Sequence, residues 1–405
     1  MGRLLQTLLL LLLTGAFSSG YAQGVPLEAY WDEGLKFRSE DGLHVLGVGG
    51  RLHYDIAFLN QEEVLDSLFE EITDKAEVRR ARISFEGVYN GVFAYEFEVD
   101  LQETLEYADM YIAFLRVPYL DLLMLGHLRE PFGLEENTSS NEIPFMERSL
   151  TSAFGPSRNL GIMLQKHFWQ NRVGVYTGVF RLVDDLGADL EGEGNHAFTS
   201  RVAFGYVLDT TANRVLHLGL AGSTRQPKGG LYEVEIENET NTSIRYIRTG
   251  KLEEVDRVKL IGGEVGYTQE ALTLQAEYVS AFVKFEEEAG LAKRHGRYES
   301  YYIMASYFLS GGLRKYDTDS NELSDIVLTQ KRQPFRVNGA WEVGVRYSYI
   351  NLIDSVQPFR QMQDLTLGVN WYLSSSARLM MNYVFTKLQQ EYNAQSLQFR
   401  IQVVF

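Results

Sequence analysis

The chain has 405 residues, a length that suits two or three ordinary domains or one long all-β barrel. It has no cysteine, which excludes disulfide bonds and thiolate metal sites, and its net charge of −16 disfavours nucleic acid as a partner. The mean hydropathy of −0.18 suits a soluble acidic protein or a transmembrane barrel, because half of every barrel strand faces water.

The first 22 residues have the layout of a secretory signal peptide. Arg3 gives a positive start, residues 4–13 are dominated by leucine, and Gly20 and Ala22 are the small residues that signal peptidase reads. We predict cleavage after Ala22 and an N-terminal periplasmic segment over residues 23–43; the alternative is a buried N-terminal helix. No later window approaches 18 uninterrupted apolar residues, so no transmembrane helix is expected.

Apolar and polar residues alternate repeatedly from residue 44 to residue 405. In Phe93–Leu101, for example, aromatic and aliphatic residues alternate with Glu96, Glu98 and Asp100. Period two with charge on one face predicts strands that lie between an apolar and an aqueous environment. Sixteen such segments begin near residues 44, 77, 92, 107, 119, 158, 172, 198, 214, 257, 271, 297, 339, 362, 377 and 395.

The connections between these segments alternate between short turns, such as Asn90-Gly91, and long polar loops. The fold class predicted for residues 44–405 is therefore all-β, a single transmembrane antiparallel β-barrel of about 16 strands in the bacterial outer membrane. Residues 310–338 fit poorly, because they are long and charged where a periplasmic turn is expected. They form an extra periplasmic element, or else they hide another strand pair.

The chain ends on an alternating strand whose last residue is Phe405. An aromatic residue there suits the interfacial girdle of a membrane barrel. The alternative fold is a soluble sandwich of two packed sheets, in which every strand also has one exposed face.

Alternation places six arginines on the lumen face, together with many carboxylates. The arginines are Arg51, Arg80, Arg82, Arg201, Arg346 and Arg400, and the acids are Asp55, Glu86, Glu96, Glu98, Asp100, Asp109, Glu264 and Glu277. The arginines suit an anion filter, since a ring of charges sets pore selectivity. They equally suit cross-strand ion pairs, with Arg80 and Arg82 beside Glu96 and Glu98. Arg79 has lipid-facing parity and should lie near a membrane interface.

Several motifs resemble the phosphate-selective porin O and P family, and the likeness covers nearly the whole mature chain in the right order. They are Trp31-Asp32-Glu33-Gly34-Leu35-Lys36-Phe37, Gly49-Gly50-Arg51-Leu52, Val78-Arg79-Arg80-Ala81-Arg82-Ile83, Pro131-Phe132-Gly133-Leu134-Glu135, Phe145-Met146-Glu147-Arg148-Ser149-Leu150 and Arg158-Asn159-Leu160-Gly161. The resemblance implies a sixteen-stranded barrel, a homotrimer, and a third outer loop that folds into the lumen, here residues 130–157.

The family's substrates are phosphate and polyphosphate, attracted by basic residues. In the implied constriction loop, Glu147 and Arg148 would bind the barrel wall through charge-assisted hydrogen bonds. The candidate pore-lining or anion-binding residues are Arg51, Arg80, Arg82, Arg129 and Arg148; Arg129 stands where the family often has lysine.

The function predicted is passive diffusion of small hydrophilic solutes, and the family resemblance implies a preference for anions or phosphate. The expected partners are such solutes, the lipid bilayer and two further copies of the chain. The alternatives are a non-selective or cation-preferring porin, a plugged structural or adhesive barrel, and an outer-membrane hydrolase. No catalytic residue, cofactor or metal is expected: the seven histidines lack the spacing of metalloprotease helices, and no nucleophile-elbow or phosphate-loop motif occurs.

Overall fold

Twenty-two strands account for most of the residues that the structure describes. The computed structural model describes residues 26–32, 34–69, 71–102, 105–183, 195–210, 213–241, 244–286, 295–329, 339–355 and 357–405. The cleavage site predicted after Ala22 therefore lies outside the described residues. The strands are β1 (Leu27–Trp31), β2 (Leu35–Ser39), β3 (Val45–Gln61), β4 (Lys75–Tyr89), β5 (Phe93–Asp100), β6 (Glu106–Leu115), β7 (Leu122–Arg129), β8 (Arg158–Phe168), β9 (Val173–Arg181), β10 (His196–Asp209), β11 (Arg214–Gln226), β12 (Glu235–Ile236), β13 (Ile247–Arg248), β14 (Val255–Gln269), β15 (Leu272–Phe285), β16 (His295–Ser310), β17 (Gly312–Asp317), β18 (Glu322–Leu328), β19 (Ala340–Asn351), β20 (Gln361–Ser374), β21 (Ala377–Leu388) and β22 (Tyr392–Val404).

Sixteen of these strands form one closed antiparallel barrel: β3 to β11, β14 to β16 and β19 to β22. The barrel closes because β22 pairs with β3, from Ala394 opposite Gln61 to Val404 opposite Arg51. All sixteen begin within three residues of the predicted starts, so the predicted barrel is confirmed. An even number of strands brings both ends of the barrel to the same, periplasmic, side.

The two faces of the barrel wall have opposite character. Apolar side chains on the outside remain accessible, as with Val345 (42% exposed) and Ile401 (52% exposed). The charged neighbours Arg346 and Arg400 point inwards and are buried. This division is the one a membrane barrel requires, because an apolar band faces lipid and the polar residues face the lumen.

Short helices occur only in the connections of the described chain. Helix α1 (Glu63–Leu68) lies in the first outer loop and α2 (Leu134–Asn137) in the third, with 3₁₀ turns at Leu150–Ala153 and Lys228–Gly230. None of these described helices is long and apolar enough to cross a membrane.

The N-terminal residues add a hairpin to the barrel sheet. β1 pairs with β2, and β2 pairs with Val45–Val48 of β3. That stretch of β3 lies beyond the end of β22, so the hairpin covers an edge that would otherwise leave backbone groups unpaired. The segment predicted as periplasmic thus includes a piece of the same sheet.

A bulge in β4 corrects one prediction. The pairing of β3 with β4 shifts by one residue, because His53 lies opposite Arg80 and Tyr54 opposite Val78. The extra residue is Arg79, and a bulge turns its side chain inwards although its parity is that of the lipid face. The predicted location of Arg79 at a membrane interface is therefore wrong.

Residues 310–338 do not enlarge the barrel. Within them, β17 and β18 pair with each other as a separate two-stranded sheet, so the barrel keeps sixteen strands. Residues 330–338 lie outside the described part. The segment thus forms an extra element at the periplasmic turn, which we call the periplasmic hairpin (312–328), and its side chains and backbone contact the inner face of the barrel wall.

Candidate functional site: the lumen and its constriction

The third outer loop, L3 (130–157), is anchored at its start by a buried carboxylate. Glu130 is fully buried and accepts hydrogen bonds from both terminal nitrogens of Arg225, at 2.8 and 3.0 Å. Asn159 and Thr199 donate to the same carboxylate at 2.7 and 2.5 Å. These contacts turn the loop inwards as soon as it leaves β7, which confirms the predicted bounds and inward fold of L3.

The middle of L3 crosses to the opposite wall. The backbone N–H groups of Leu134 and Glu135 donate to Glu277 on β15, at 2.8 and 2.6 Å. The carboxylate of Glu135 then pairs with Arg346 on β19 at 2.8 Å. Further along, Arg378 on β21 donates to the carbonyl of Ile143 at 3.0 Å.

Two glycines of the wall make room for an aromatic side chain of L3. Phe145 is fully buried, and a Cβ at Gly344 or Gly368 would lie 3.1 Å from its ring. Arg346 lies over the ring at 4.5 Å, a cation–π contact. The loop therefore packs against the wall as well as hydrogen-bonding to it.

The end of L3 returns to the wall at Glu147. Arg79 binds this carboxylate with two nitrogens at 3.1 Å each, and Arg400 binds it at 2.8 Å. Arg400 also holds Asp55 through two contacts of 2.7 Å. Burial alone would raise the pKa of Glu147, but Arg79, Arg400 and Arg80 lower it well below its usual range. The predicted attachment of Glu147 to the wall is confirmed in the geometry.

Arg148 has a different role from the one predicted. It donates to the backbone carbonyls of Glu135, Glu136 and Thr138, at 2.9 to 3.2 Å, and pairs with the carboxylate of Glu136. All of these groups belong to L3. Arg148 thus fixes the fold of the loop and does not attach it to the wall.

The fifth outer loop, L5 (227–254), fills a further part of the lumen. Its Glu239 is buried and accepts from Arg346 at 2.9 Å and from the hydroxyls of Ser348 and Thr366. L5 and L3 share an apolar core with the wall strands β11, β14 to β16 and β19 to β22. This core includes Phe132, Leu150 and Phe154 of L3, Val234, Tyr246 and Ile247 of L5, and Val258, Leu260, Ala281, Val283, Ile350 and Leu388 of the wall.

The periplasmic hairpin occupies the lumen from the other end. Arg201 on β10 donates to the carbonyl of Asn321 at 3.0 Å, and Gln165 on β8 donates to that of Asp319 at 2.7 Å. Arg314 pairs with Glu342 on β19 at 3.1 Å and also donates to a carbonyl of L3. The hairpin is therefore bound to the wall on two sides, and it contacts the periplasmic side of L3.

Together these three elements leave off-centre cavities in the lumen, which we interpret as the path of the solute. A cavity of about 420 Å³ lies between L3, the turn of the hairpin and the wall formed by β3 and β5 to β10. A smaller, polar cavity of about 150 Å³ continues towards the N-terminal hairpin, and Arg51 and Glu96 line both. The larger cavity is the candidate constriction. Its charged lining residues are Arg51, Arg129, Arg158, Arg201, Glu96, Asp109 and Glu322.

The main basic feature of the constriction is a pair of arginines in adjacent strands. Arg129 on β7 lies directly opposite Arg158 on β8. Like charges in this arrangement repel each other, and Asp109 on β6 compensates the charge of Arg158 at 2.6 Å. Arg129 donates to the backbone carbonyls of Glu136, Asn137 and Thr138, and among the described residues no carboxylate pairs with it.

Among the described residues, Arg158 and most other arginines on the lumen face are paired with carboxylates, unlike Arg129. Arg82 pairs with Glu98 and Asp100 at 3.2 and 2.8 Å, and Arg51 pairs with Glu98 at 2.6 Å. In the lining of the constriction, Arg158 pairs with Asp109 and Arg201 with Glu264. The alternative of wall-stiffening ion pairs thus applies to these residues, although the predicted partnership between Arg80 and Glu96 does not form.

The five candidate arginines have different environments. Arg51 and Arg129 line the constriction, whereas Arg82 lies in the wall and Arg148 inside L3. Arg80 is buried beside Glu147, and its Nη1 atom has no hydrogen-bond partner among the described residues. Sequence analysis did not identify two charged residues of the constriction. Arg158 begins the family-like motif Arg158-Asn159-Leu160-Gly161, and Glu322 lies in residues 310–338, which fitted no predicted element. Within the described chain no cluster of three or more histidines or carboxylates is arranged to hold a metal ion.

A closed sixteen-stranded barrel with an apolar exterior and a charged, loop-narrowed lumen is an outer-membrane porin, a channel for passive diffusion of small hydrophilic solutes. The model of the family "Phosphate-selective porin O and P" matches residues 46–405. The chain belongs to that family, whose members are channels of the bacterial outer membrane.

Individual comparisons agree with this assignment. Porin O of Pseudomonas aeruginosa is 22% identical over 397 residues, which cover 87% of this chain and 85% of that protein. Among solved structures, an anion-selective porin from Comamonas acidovorans superimposes with a TM-score of 0.58 at 12% identity, over 89% of this chain and 100% of that one. The outer membrane protein OmpT of Vibrio cholerae, solved in a trimer form, superimposes with a TM-score of 0.54 at 11% identity, over 89% of this chain and 99% of that one.

Proposed function

We propose that this porin favours small anions, phosphate among them, and that Arg129 and Arg158 set the preference. The observation that carries the proposal is Arg129, which lines the constriction opposite Arg158 and pairs with no carboxylate among the described residues, whereas Arg158 is paired with Asp109. A permeating anion would be attracted by the uncompensated charge of Arg129 and would relieve its repulsion with Arg158. Because Arg129 binds only carbonyl oxygens of L3, its charge remains available to a solute.

Replacing Arg129 by glutamine is expected to reduce the permeability ratio of chloride to potassium by about ten- to twenty-fold. A unit charge about 5 Å away in water is worth about 0.8 kcal/mol, a factor of about four, and it acts with opposite sign on the anion and on the cation, so the ratio changes by about the square of that factor. The reversal potential in a planar bilayer under a potassium chloride gradient measures the change. The control is Arg248→Gln, which removes an exposed arginine of L5.

Phosphate supplies a second readout of the same site. If the arginines attract oxyanions, millimolar phosphate should lower the chloride current of the wild-type channel more than that of R129Q. A wild-type channel that prefers potassium would contradict the proposal and favour the cation-preferring alternative. A channel without conductance would favour a plugged barrel.

We also propose that the protein assembles as a homotrimer. The trimer form of the OmpT neighbour supports this, and so does the height of the wall beside the constriction. β5 and β7 have eight residues each, and eight tilted residues span only about 19 Å, less than the apolar band of about 25 Å. A neighbouring copy would cover the short wall; light scattering of the purified protein, corrected for detergent, tests the stoichiometry.

A further inference from the structure

Among the described residues that line the constriction, the carboxylate of Glu322 stands without a partner. Glu322 is the first residue of β18, directly after the turn of the periplasmic hairpin, and it lines the larger cavity. It makes no ion pair or hydrogen bond through its side chain with any described residue. The other acids of this lining differ, since Tyr111 donates to Glu96 at 2.7 Å and Arg158 pairs with Asp109 at 2.6 Å.

The surroundings of Glu322 combine both signs of charge. The groups that influence its ionisation from the neighbouring elements are Arg201 on β10, Arg129 on β7, Asp317 on β17 and Glu264 on β14, and the phenols of Tyr176 and Tyr316 also lie close. Neither arginine comes within ion-pair distance of Glu322, so the carboxylate opposes them across open space. Burial raises the pKa of Glu322 to about 7, although Arg201 and Arg129 lower it.

The constriction is therefore charge-separated. Its unpaired basic group is Arg129 on the wall, and its unpaired acidic group among the described residues is Glu322 on the hairpin, whereas Arg158 and Glu96 of the wall are bound to Asp109 and Tyr111. A simple anion is attracted by Arg129 and repelled by Glu322. A solute that carries an anionic and an ammonium group on one short skeleton can satisfy both at once, because it presents one charge to each side.

We propose that Glu322 is a specificity-determining residue of the pore, and that its carboxylate makes the constriction favour small zwitterions over anions of the same size. The proposal rests on the proposed function, since it needs Arg129 and Arg158 as the anion-attracting side. The solute class is that of short amino acids and amino sulfonates. The proposal does not exclude anions from the pore; it states only that zwitterions permeate faster than anions of the same size.

The test compares two solutes that differ in one group. Taurine and isethionate share an ethyl sulfonate skeleton, and taurine has an ammonium where isethionate has a hydroxyl. Influx of each labelled solute is measured into proteoliposomes at zero membrane potential, for the wild type and for Glu322→Gln. We expect the ratio of taurine influx to isethionate influx to fall about three-fold or more in E322Q.

The hairpin offers a matched control. Asp325 lies three residues away on the same strand and is exposed, outside the lining of the cavity. Asp325→Asn removes the same charge from the same element and should leave the ratio unchanged. Glu322→Asp keeps the charge and should retain most of the wild-type ratio, which separates the effect of charge from any damage to the hairpin.

Acidification is a second, independent arm. At pH about 8.5 Glu322 is ionised, and at pH about 5.5 it is protonated, because its pKa is near 7. The wild-type ratio should therefore fall on acidification, and the fall should be smaller in E322Q, in which Glu96 remains as a titratable carboxylate of the same lining. An E322Q channel with the wild-type ratio and the wild-type pH response would overturn the proposal.

The outcome is separable from that of the proposed function. Anion preference is measured by the reversal potential of the wild type and by R129Q. If the wild type proves anion-selective and E322Q leaves the taurine ratio unchanged, only the role of Glu322 fails. If the wild type proves cation-selective, the basic side of the constriction fails first.

Discussion

Removal of the periplasmic hairpin should raise the single-channel conductance about two-fold or more. The hairpin lies against β8 to β11 on one side and β19 on the other, so it obstructs the lumen below L3. Conductance increases with the open cross-section of a water-filled pore. The variant replaces residues 312–328 by a short glycine–serine turn, and its conductance is measured in planar bilayers.

The deletion must not leave a buried charge behind. Arg314 of the hairpin is the ion-pair partner of Glu342, which is fully buried on β19. The deletion is therefore combined with Glu342→Gln, and the control is the full-length chain with E342Q alone. Equal conductance in the two would mean that solutes bypass the hairpin, contrary to the path along β5 to β10.

Replacement of Glu147 by glutamine should destabilise the protein by about 3–5 kcal/mol, the usual cost of removing one partner from a buried ion-pair network. The substitution leaves Arg79, Arg80 and Arg400 close together with Asp55 as the nearest remaining counter-charge. Unfolding in urea, followed by tryptophan fluorescence in lipid vesicles, measures the loss. We also expect noisier channel currents, because the end of L3 would no longer be fixed to β4 and β22.

A compensating variant makes the cause identifiable. Adding Arg79→Gln to E147Q removes one of the unpaired charges and should restore part of the lost stability. Glu63→Gln on the exposed helix α1 serves as a control for the loss of one carboxylate. If E147Q were as stable as E63Q, the interaction of Glu147 with the three arginines would not contribute to anchoring L3.

The pH dependence of this anchor follows from the lowered pKa of Glu147. A carboxyl group with a lower pKa in the folded protein than in the unfolded chain stabilises the fold fully above its unfolded value, about 4.3. The stabilisation is lost only as the pH falls from that value through the folded pKa. L3 should therefore remain anchored throughout the neutral and mildly acidic range, and titration of stability should show the loss below pH about 4.

The barrel was predictable from sequence because its wall has a strict periodicity. Each strand contacts lipid on one side and water or buried polar groups on the other, so residues such as Ile401 and Arg400 are forced to alternate. The same rule failed at Arg79, where a bulge reverses the parity. A bulge depends on the register of two strands, and the sequence of one strand carries no direct sign of it.

The interior was less predictable, since it depends on contacts between distant segments. L3 was identified through family resemblance, and its bounds were correct, but the partners of Glu135, Glu147 and Arg148 were not all foreseeable. The hairpin at 312–328 was visible only as a segment too long for a turn. Glu322 was missed for the same reason: its importance comes from the cavity it reaches, and alternation in β18 says nothing about that cavity.

The most direct test of the central claim, an off-centre path along β5 to β10, uses the absence of cysteine in the chain. Single variants Ser139→Cys and Ser320→Cys place a thiol in the lining of the cavity, on L3 and on the hairpin. Ser300→Cys and Ser348→Cys place one on the filled side, where both serines are fully buried. A small charged methanethiosulfonate reagent should block current through the first two variants and leave the other two unaffected. Block at Ser300 or Ser348, with none at Ser139 and Ser320, would contradict the path described.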